Sequence, residues 1–223
     1  MLYSSRVNKL DAMARHRYNV LSLWNLHPFP SIVKVPEFPG VALDDVWRTR
    51  AQLDSTFSLT GSDMVRPAML ADYEVVKRMT INEKIDFWRE VMQYAHDRGI
   101  EVYWFTWNIL VWGTDGQYGI TAAQDNPATI EYFRASVRET VRTYPLLAGM
   151  GVTAGEQMRG SGRGMPSRQE WLRQAYGEGI RDALADEPDR RFRLIHRFHQ
   201  TAIGLAKPAS SRRTPRRTRR QNT

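Results

Sequence analysis

The chain has 223 residues and no cysteine, which is enough for one domain with a sizeable core but excludes disulfides and thiolate metal sites. Its 42% hydrophobic content, with 7 Trp, 9 Tyr and 8 Phe, is typical of a globular protein. No signal peptide or apolar run long enough to cross a membrane is visible, so we expect no membrane association, and the compartment stays open.

The net charge of +8 is concentrated at the C-terminus. Residues 207–223 contain seven basic residues and no acidic one, which leaves a net charge of +1 on residues 1–206. This segment has no apolar side chain larger than alanine, so we expect a disordered tail after a domain spanning residues 1–206. A solvated extension is the simpler interpretation, and an arm that contacts nucleic acid is the alternative.

The first part of the chain predicts a helix over residues 4–16 and a strand over 18–26. Residues 27–70 carry five prolines and no clean period, which predicts a long loop. A capping-box pattern then begins a helix at Thr80, and Gly99 ends it before a strand over 101–108.

The helix–strand unit then recurs twice. Asp125 or Asn126 can cap a helix that begins at Pro127, and LAGMGVTAG follows as the third strand. Ser167 opens a further helix by a second capping box, and residues 192–198 form the fourth strand. Such alternation predicts an α/β fold with parallel strands, either an open doubly wound sheet or a barrel. No GxGxxG follows the first strand, which disfavours a dinucleotide-binding sheet. We therefore predict a partial (β/α)8 TIM-type barrel with about four parallel strands.

Polar and aromatic side chains follow each predicted strand at its carboxyl end, the edge where barrel enzymes assemble their active sites. Indole faces can stack on sugar rings, amides can bind hydroxyls, and a guanidinium can bind a uronic carboxylate in bidentate fashion. This set favours carbohydrate chemistry, with Glu156 as a candidate general acid. The predicted substrate-binding residues are Asn25, Trp107, Asn108, Gln157, Arg197 and His199, with Trp24 and either Trp104 or Trp112 as further stacking candidates.

Other chemistries have weaker support. The histidines near strand ends lack a third ligand at a diagnostic spacing, so we expect no metal and no cofactor. No serine stands in a GxSxG context, and no lysine at a strand end suggests a Schiff base. Glu156 could instead form a structural ion pair with Arg159 or Arg163, and from the residues alone both roles stay open.

The order of these elements resembles the central barrel of the α-glucuronidase family of glycoside hydrolases. The resemblance lies in RGIEVYWFTWN, in the DNPATIEYFR helix, and in TYPLLAGMGVTAGEQ followed by a strand that ends in Arg. The matched residues are Asn25, Gly99, Ile100, Val102, Tyr103, Asn108, Pro127, Gly149, Glu156 and Arg197. The resemblance implies that Glu156 is the general acid.

The family's water-activating carboxylates follow the strand that ends in Arg, where this chain enters its basic tail. The sequence therefore predicts a truncated barrel with weak or no hydrolytic activity, which could self-associate through its uncovered edges. The alternative is a non-enzymatic half-barrel whose tail contacts nucleic acid or another anionic partner.

Overall fold

The computed structural model describes residues 2–50, 72–107, 109–153, 158 and 166–197. Three helices precede or follow the long strands: α1 (Leu2–Arg15), α2 (Ile81–His96) and α3 (Pro127–Thr143). A last helical segment consists of α4 (Arg168–Leu172), a π-helical turn (Arg173–Gly177) and α5 (Glu178–Leu184). The strands are β1 (Val20–Asn25), β2 (Val46–Thr49), β3 (Tyr73–Lys77), β4 (Glu101–Trp107), β5 (Leu147–Thr153) and β6 (Arg193–Arg197).

Four strands form a parallel sheet in the order β1-β4-β5-β6. Each new strand of this sheet is added on the same side of the preceding one. A doubly wound sheet reverses its strand order at a switch point, whereas a barrel does not. The described residues therefore form a partial TIM-type α/β fold, as the sequence predicts.

The predicted helix starts coincide with the observed caps. Thr80 Oγ1 accepts a hydrogen bond from Glu83 N, and Glu83 accepts one from Thr80 N, which completes the capping box of α2. Asn126, not Asp125, caps α3, and Ser167 caps α4 through Glu170 N. Because side-chain oxygens satisfy otherwise unpaired amides at helix ends, these short motifs determine where the helices begin.

The described residues 27–50, which belong to the predicted loop, contain a 3-10 turn (Phe29–Ser31) and the strand β2. β2 pairs as an antiparallel ribbon with β3, which follows the predicted loop in the chain. Several apolar side chains of the connection are buried, including Phe29, Val33 and Val35. No strand period is visible here because β2 and β3 are only 4 and 5 residues long and lie far apart in the chain.

The core lies between the sheet and its helices. Trp104 of β4 packs edge-to-face against Trp88 of α2 and Tyr144, with ring centroids 5.5 and 4.7 Å apart. Met150 and Val152 of β5 are fully buried beside it. Because side chains alternate across a strand, the neighbouring residues of β4 and β5 point to the opposite side, called here the inner face.

The inner face brings aromatic rings against glycines. Tyr103 pairs in register with Gly149, and Phe105 pairs with Gly151. A Cβ atom at Gly151 would lie 2.1 Å from the Phe105 ring, so only glycine leaves room for that ring. At the amino ends of the strands, Arg193 Nη1 donates to Glu101 Oε2 at 2.8 Å and to the Tyr103 hydroxyl at 2.5 Å. The ion pair and hydrogen bonds of Arg193 thus occupy the end of the inner face away from the carboxyl ends of the strands.

Candidate functional site

The carboxyl edge of the parallel sheet brings two of the predicted site residues onto one face. Trp107 of β4 pairs in register with Thr153, which in turn pairs with Arg197 of β6. The three residues therefore lie side by side across the inner face, with Thr153 between the other two. Adjacent strands are separated by about 4.8 Å, so the Trp107 and Arg197 backbones are roughly 10 Å apart, a span comparable to a sugar ring with its substituents.

A second indole lies next to Trp107. The Trp24 ring stacks on Phe105 with centroids 4.5 Å apart and lies 5.1 Å from the Trp107 ring at an angle of 60°. Trp24 is 45% exposed although it lies on a strand. An exposed indole supported by a second ring is a preformed surface on which an apolar sugar face can stack, since its orientation is already fixed.

Trp104 is not part of this surface, which corrects the expectation that it stacks on a sugar. Its side chain is 4% exposed and faces the helices, where Trp88 and Tyr144 enclose it. The alternation of side chains along β4 separates it from Trp107.

Asn25 lies at the end of β1 but on the other side of the sheet. It pairs with Thr106, whose buried side chain points toward the helices, and its Oδ1 accepts a hydrogen bond from His27 N at 3.0 Å. The structure therefore does not bring Asn25 together with Trp107 and Arg197. Asn25 instead lines a cavity of about 430 Å³ between α2 and the β2–β3 ribbon.

Four predicted site residues, including the candidate acid, lie outside the described residues: Asn108, Glu156, Gln157 and His199. The residues of the basic tail, 207–223, also lie outside them. Thr153, the last residue of β5, stands three positions before Glu156 in the chain.

His27 connects the segments next to the carboxyl edge of the sheet by hydrogen bonds, a role that the sequence did not indicate. It is buried, and its Nδ1 lies 2.8 Å from the Trp112 carbonyl, which can only accept a hydrogen bond. Nδ1 therefore carries the proton, and Nε2 accepts from the Tyr132 hydroxyl at 3.1 Å. Burial lowers the pKa of His27 to about 4, so the ring is neutral at pH 7 and joins β1 to the loop after β4 and to α3.

The two loops that border the edge also contact each other directly. The Gly40 amide donates to the Tyr118 hydroxyl at 3.1 Å, and the Phe38 and Tyr118 rings pack edge-to-face. Asn126 Nδ2 donates to the Gly119 carbonyl at 2.8 Å, which holds the second loop against the start of α3. These contacts hold the loops that follow β1 and β4 against each other and against α3.

The residues that the structure describes contain no group of three or more His, Cys, Asp or Glu side chains that could hold a metal ion. Among the same residues, no helix is long and apolar enough to cross a membrane.

Neither a protein-family model nor a curated protein matches the chain. Among solved structures, the chain is similar to a GH138 enzyme targeting pectin rhamnogalacturonan II, with 24% sequence identity and a TM-score of 0.63. This similarity covers 90% of the chain but only 20% of that enzyme. The chain therefore has a glycoside hydrolase-like fold and spans about one fifth of the length of this neighbour.

A second solved structure is the GH20 β-N-acetylhexosaminidase from Streptomyces coelicolor A3(2). It has 12% identity and a TM-score of 0.44, and the match covers 87% of the chain and 36% of that enzyme.

Proposed function

We propose that this chain is a glycoside hydrolase-type barrel that binds a polysaccharide or oligosaccharide at the carboxyl edge of its parallel sheet. The main support is structural: Trp107 and Arg197 lie on one face of that edge, and the exposed Trp24 ring lies beside Trp107. Indoles and a guanidinium at the carboxyl ends of barrel strands suit a saccharide with a carboxylate. The similarity of fold to an enzyme targeting a pectin agrees with a substrate of this class.

In the proposed reaction, Glu156 is the general acid. It donates its proton to the glycosidic oxygen as the bond to the anomeric carbon breaks. Trp107 and Trp24 hold the sugar, and Arg197 binds the carboxylate of a uronic acid, as the likeness to α-glucuronidases implies. Asn108, Gln157 and His199 are the proposed contacts for hydroxyl groups.

A second carboxylate must activate the water or attack the anomeric carbon, and none is assigned in this chain. We therefore expect slow hydrolysis, so that binding is the more sensitive readout. General-acid catalysis typically contributes roughly 10²–10⁴-fold to a rate, and a slow reaction can still reveal its loss.

The test compares the wild-type chain with Glu156→Gln on pectic oligosaccharides, with released products measured by chromatography. We expect Glu156→Gln to lower the rate by about 100-fold or more while it still binds the oligosaccharide, because the amide cannot donate a carboxylic proton. Glu90→Gln, on the exposed side of α2, is the matched control and should leave the rate unchanged. Equal rates for the wild type and Glu156→Gln would reject Glu156 as the acid.

A further inference from the structure

The cavity that Asn25 lines is bordered by three aromatic rings and two lysines. It lies between the first half of α2 and the β2–β3 ribbon, on the side of the sheet that faces the helices. Its lining includes Trp47, Lys77, Lys84, Phe87 and Trp88. A cavity of about 430 Å³ is within the size range of small-molecule sites.

Lys84 is buried in the wall of this cavity. The residue is only 7% exposed, and its Nζ donates a hydrogen bond to the Leu43 carbonyl at 2.8 Å. An ammonium group has three N–H donors, and this bond satisfies one of them. Burial also lowers the pKa of Lys84, which means that its surroundings compensate the charge incompletely.

Two carboxylates, Asp44 and Asp45, also line the cavity, and both accept hydrogen bonds from other donors. Asp44 Oδ1 accepts from the Ile81 amide at 2.7 Å, and Asp45 accepts from the Met79 amide at 3.0 Å and from Arg78 at 2.7 Å. Among the described residues, neither carboxylate forms an ion pair with Lys77 or Lys84. Burial lowers the pKa of Lys84 more than the charges of Asp44 and Asp45 raise it, and its ammonium keeps N–H donors that can bind an anion in the cavity.

Aromatic rings fix the indoles of the cavity wall. Trp47 stacks on Tyr73 with centroids 4.6 Å apart and an interplanar angle of 11°, and it remains 44% exposed. Trp88 packs edge-on against Trp104 at 90°. Because both rings are already held by other rings, little side-chain entropy is lost when a ligand packs against them.

We propose that this cavity is a second saccharide site, which binds a sugar acid with its carboxylate on Lys84 and Lys77 and its ring against Trp47 or Trp88. The site is separate from the Trp107 and Arg197 surface, because Asn25 and the cavity lie on the other side of the sheet. The inference rests on the proposed function for its choice of a saccharide, and the lysines select an acidic one. It would hold a second unit of a branched or long acidic substrate.

The test measures equilibrium binding of trigalacturonic acid and of neutral galactotriose to the full chain by calorimetry, in a Glu156→Gln background that prevents turnover. We expect trigalacturonic acid to bind at least tenfold more tightly than galactotriose. Lys77→Met and Lys84→Met should each weaken its binding roughly tenfold or more, as expected for the loss of one charge-assisted hydrogen bond. Lys34→Met changes the same charge at an exposed position outside the cavity wall and should leave the affinity unchanged.

Because Lys77 is exposed, Lys77→Met should fold, and it provides the test on its own if Lys84→Met does not fold. Affinity that is unchanged in Lys77→Met, or no binding of trigalacturonic acid, would overturn this inference. Failure of the proposed function is recognised separately: binding that depends on Lys77, without any Glu156-dependent cleavage by the wild type, supports the cavity and rejects the catalytic proposal. Glu156-dependent cleavage by the wild type, with binding that does not depend on Lys77, would support the catalytic proposal and reject the cavity as a saccharide site.

Discussion

Gly151 leaves room for the Phe105 ring on the inner face, and Phe105 in turn supports Trp24. We expect Gly151→Ala to lower the free energy of unfolding by about 1–3 kcal/mol, because the added methyl group would overlap the ring and force it or the strand to move. Gly177→Ala is the control, since its nearest contacts would be at 3.8 and 4.0 Å. Chemical denaturation measures both changes, and equal stability of the two variants would contradict this account of the glycine.

His27 makes stability depend on pH. The pKa of a histidine in the unfolded chain is about 6.5, whereas burial lowers the pKa of His27 to about 4. The unfolded chain therefore takes up this proton first as the pH falls. The stabilisation is complete above pH ~6.5 and is lost progressively toward pH 4, by about 3 kcal/mol in all.

His27→Asn keeps a donor for the Trp112 carbonyl but removes the titration. We expect melting temperatures measured between pH 6.5 and 4.5 to fall less steeply for His27→Asn than for the wild type. Asn82→Ser, at an exposed position on α2, changes no titratable group and should keep the wild-type slope. An unchanged slope in His27→Asn would mean that another group is responsible.

At the scale of elements, Asn126 has two roles that can be separated. Its Oδ1 accepts from Ala128 N at 2.9 Å and caps α3, and its Nδ2 donates to Gly119 and to Thr121 in the preceding loop. Asn126→Ala should cost about 1–2 kcal/mol of unfolding free energy, because both sets of bonds are lost.

Asn126→Asp retains the cap oxygen and loses only the loop donor. It should recover a substantial part of the stability lost in Asn126→Ala, as measured by thermal melts above pH 6. If Asp were as destabilising as Ala, the loop contacts would dominate and the cap would contribute little.

The elements with local signals could be predicted from the sequence. The capping motifs at Thr80, Asn126 and Ser167 indicated where three helices begin, since a cap depends on residues three positions apart. The β2–β3 ribbon could not be predicted, because its pairing joins strands separated by more than twenty residues. The π-helical turn after α4 carried no signal either.

The candidate site was predicted only in part, for a similar reason. Strand ends locate the edge, but the face of each residue depends on its exact register. Trp107 and Arg197 share a face, whereas Asn25 and Trp104 point toward the helices. The support given by His27 depends on contacts with Trp112 and Tyr132, which lie 85 and 105 residues away in the chain.

At the scale of the whole molecule, the strand order distinguishes a barrel-type fold from a doubly wound sheet. Within the described residues, β1 and β6 each pair with one strand, whereas every strand of a closed barrel pairs with two. Self-association through these edges stays a prediction. So do the division at residue 206 and the role of the basic tail.

A crystal structure of Glu156→Gln with an acidic oligosaccharide bound would test the proposed saccharide site most directly. We expect a sugar ring against Trp107 or Trp24, a carboxylate on Arg197, and the glycosidic oxygen within hydrogen-bond distance of the residue at position 156. A saccharide bound only away from the carboxyl edge of the parallel sheet would contradict this proposal.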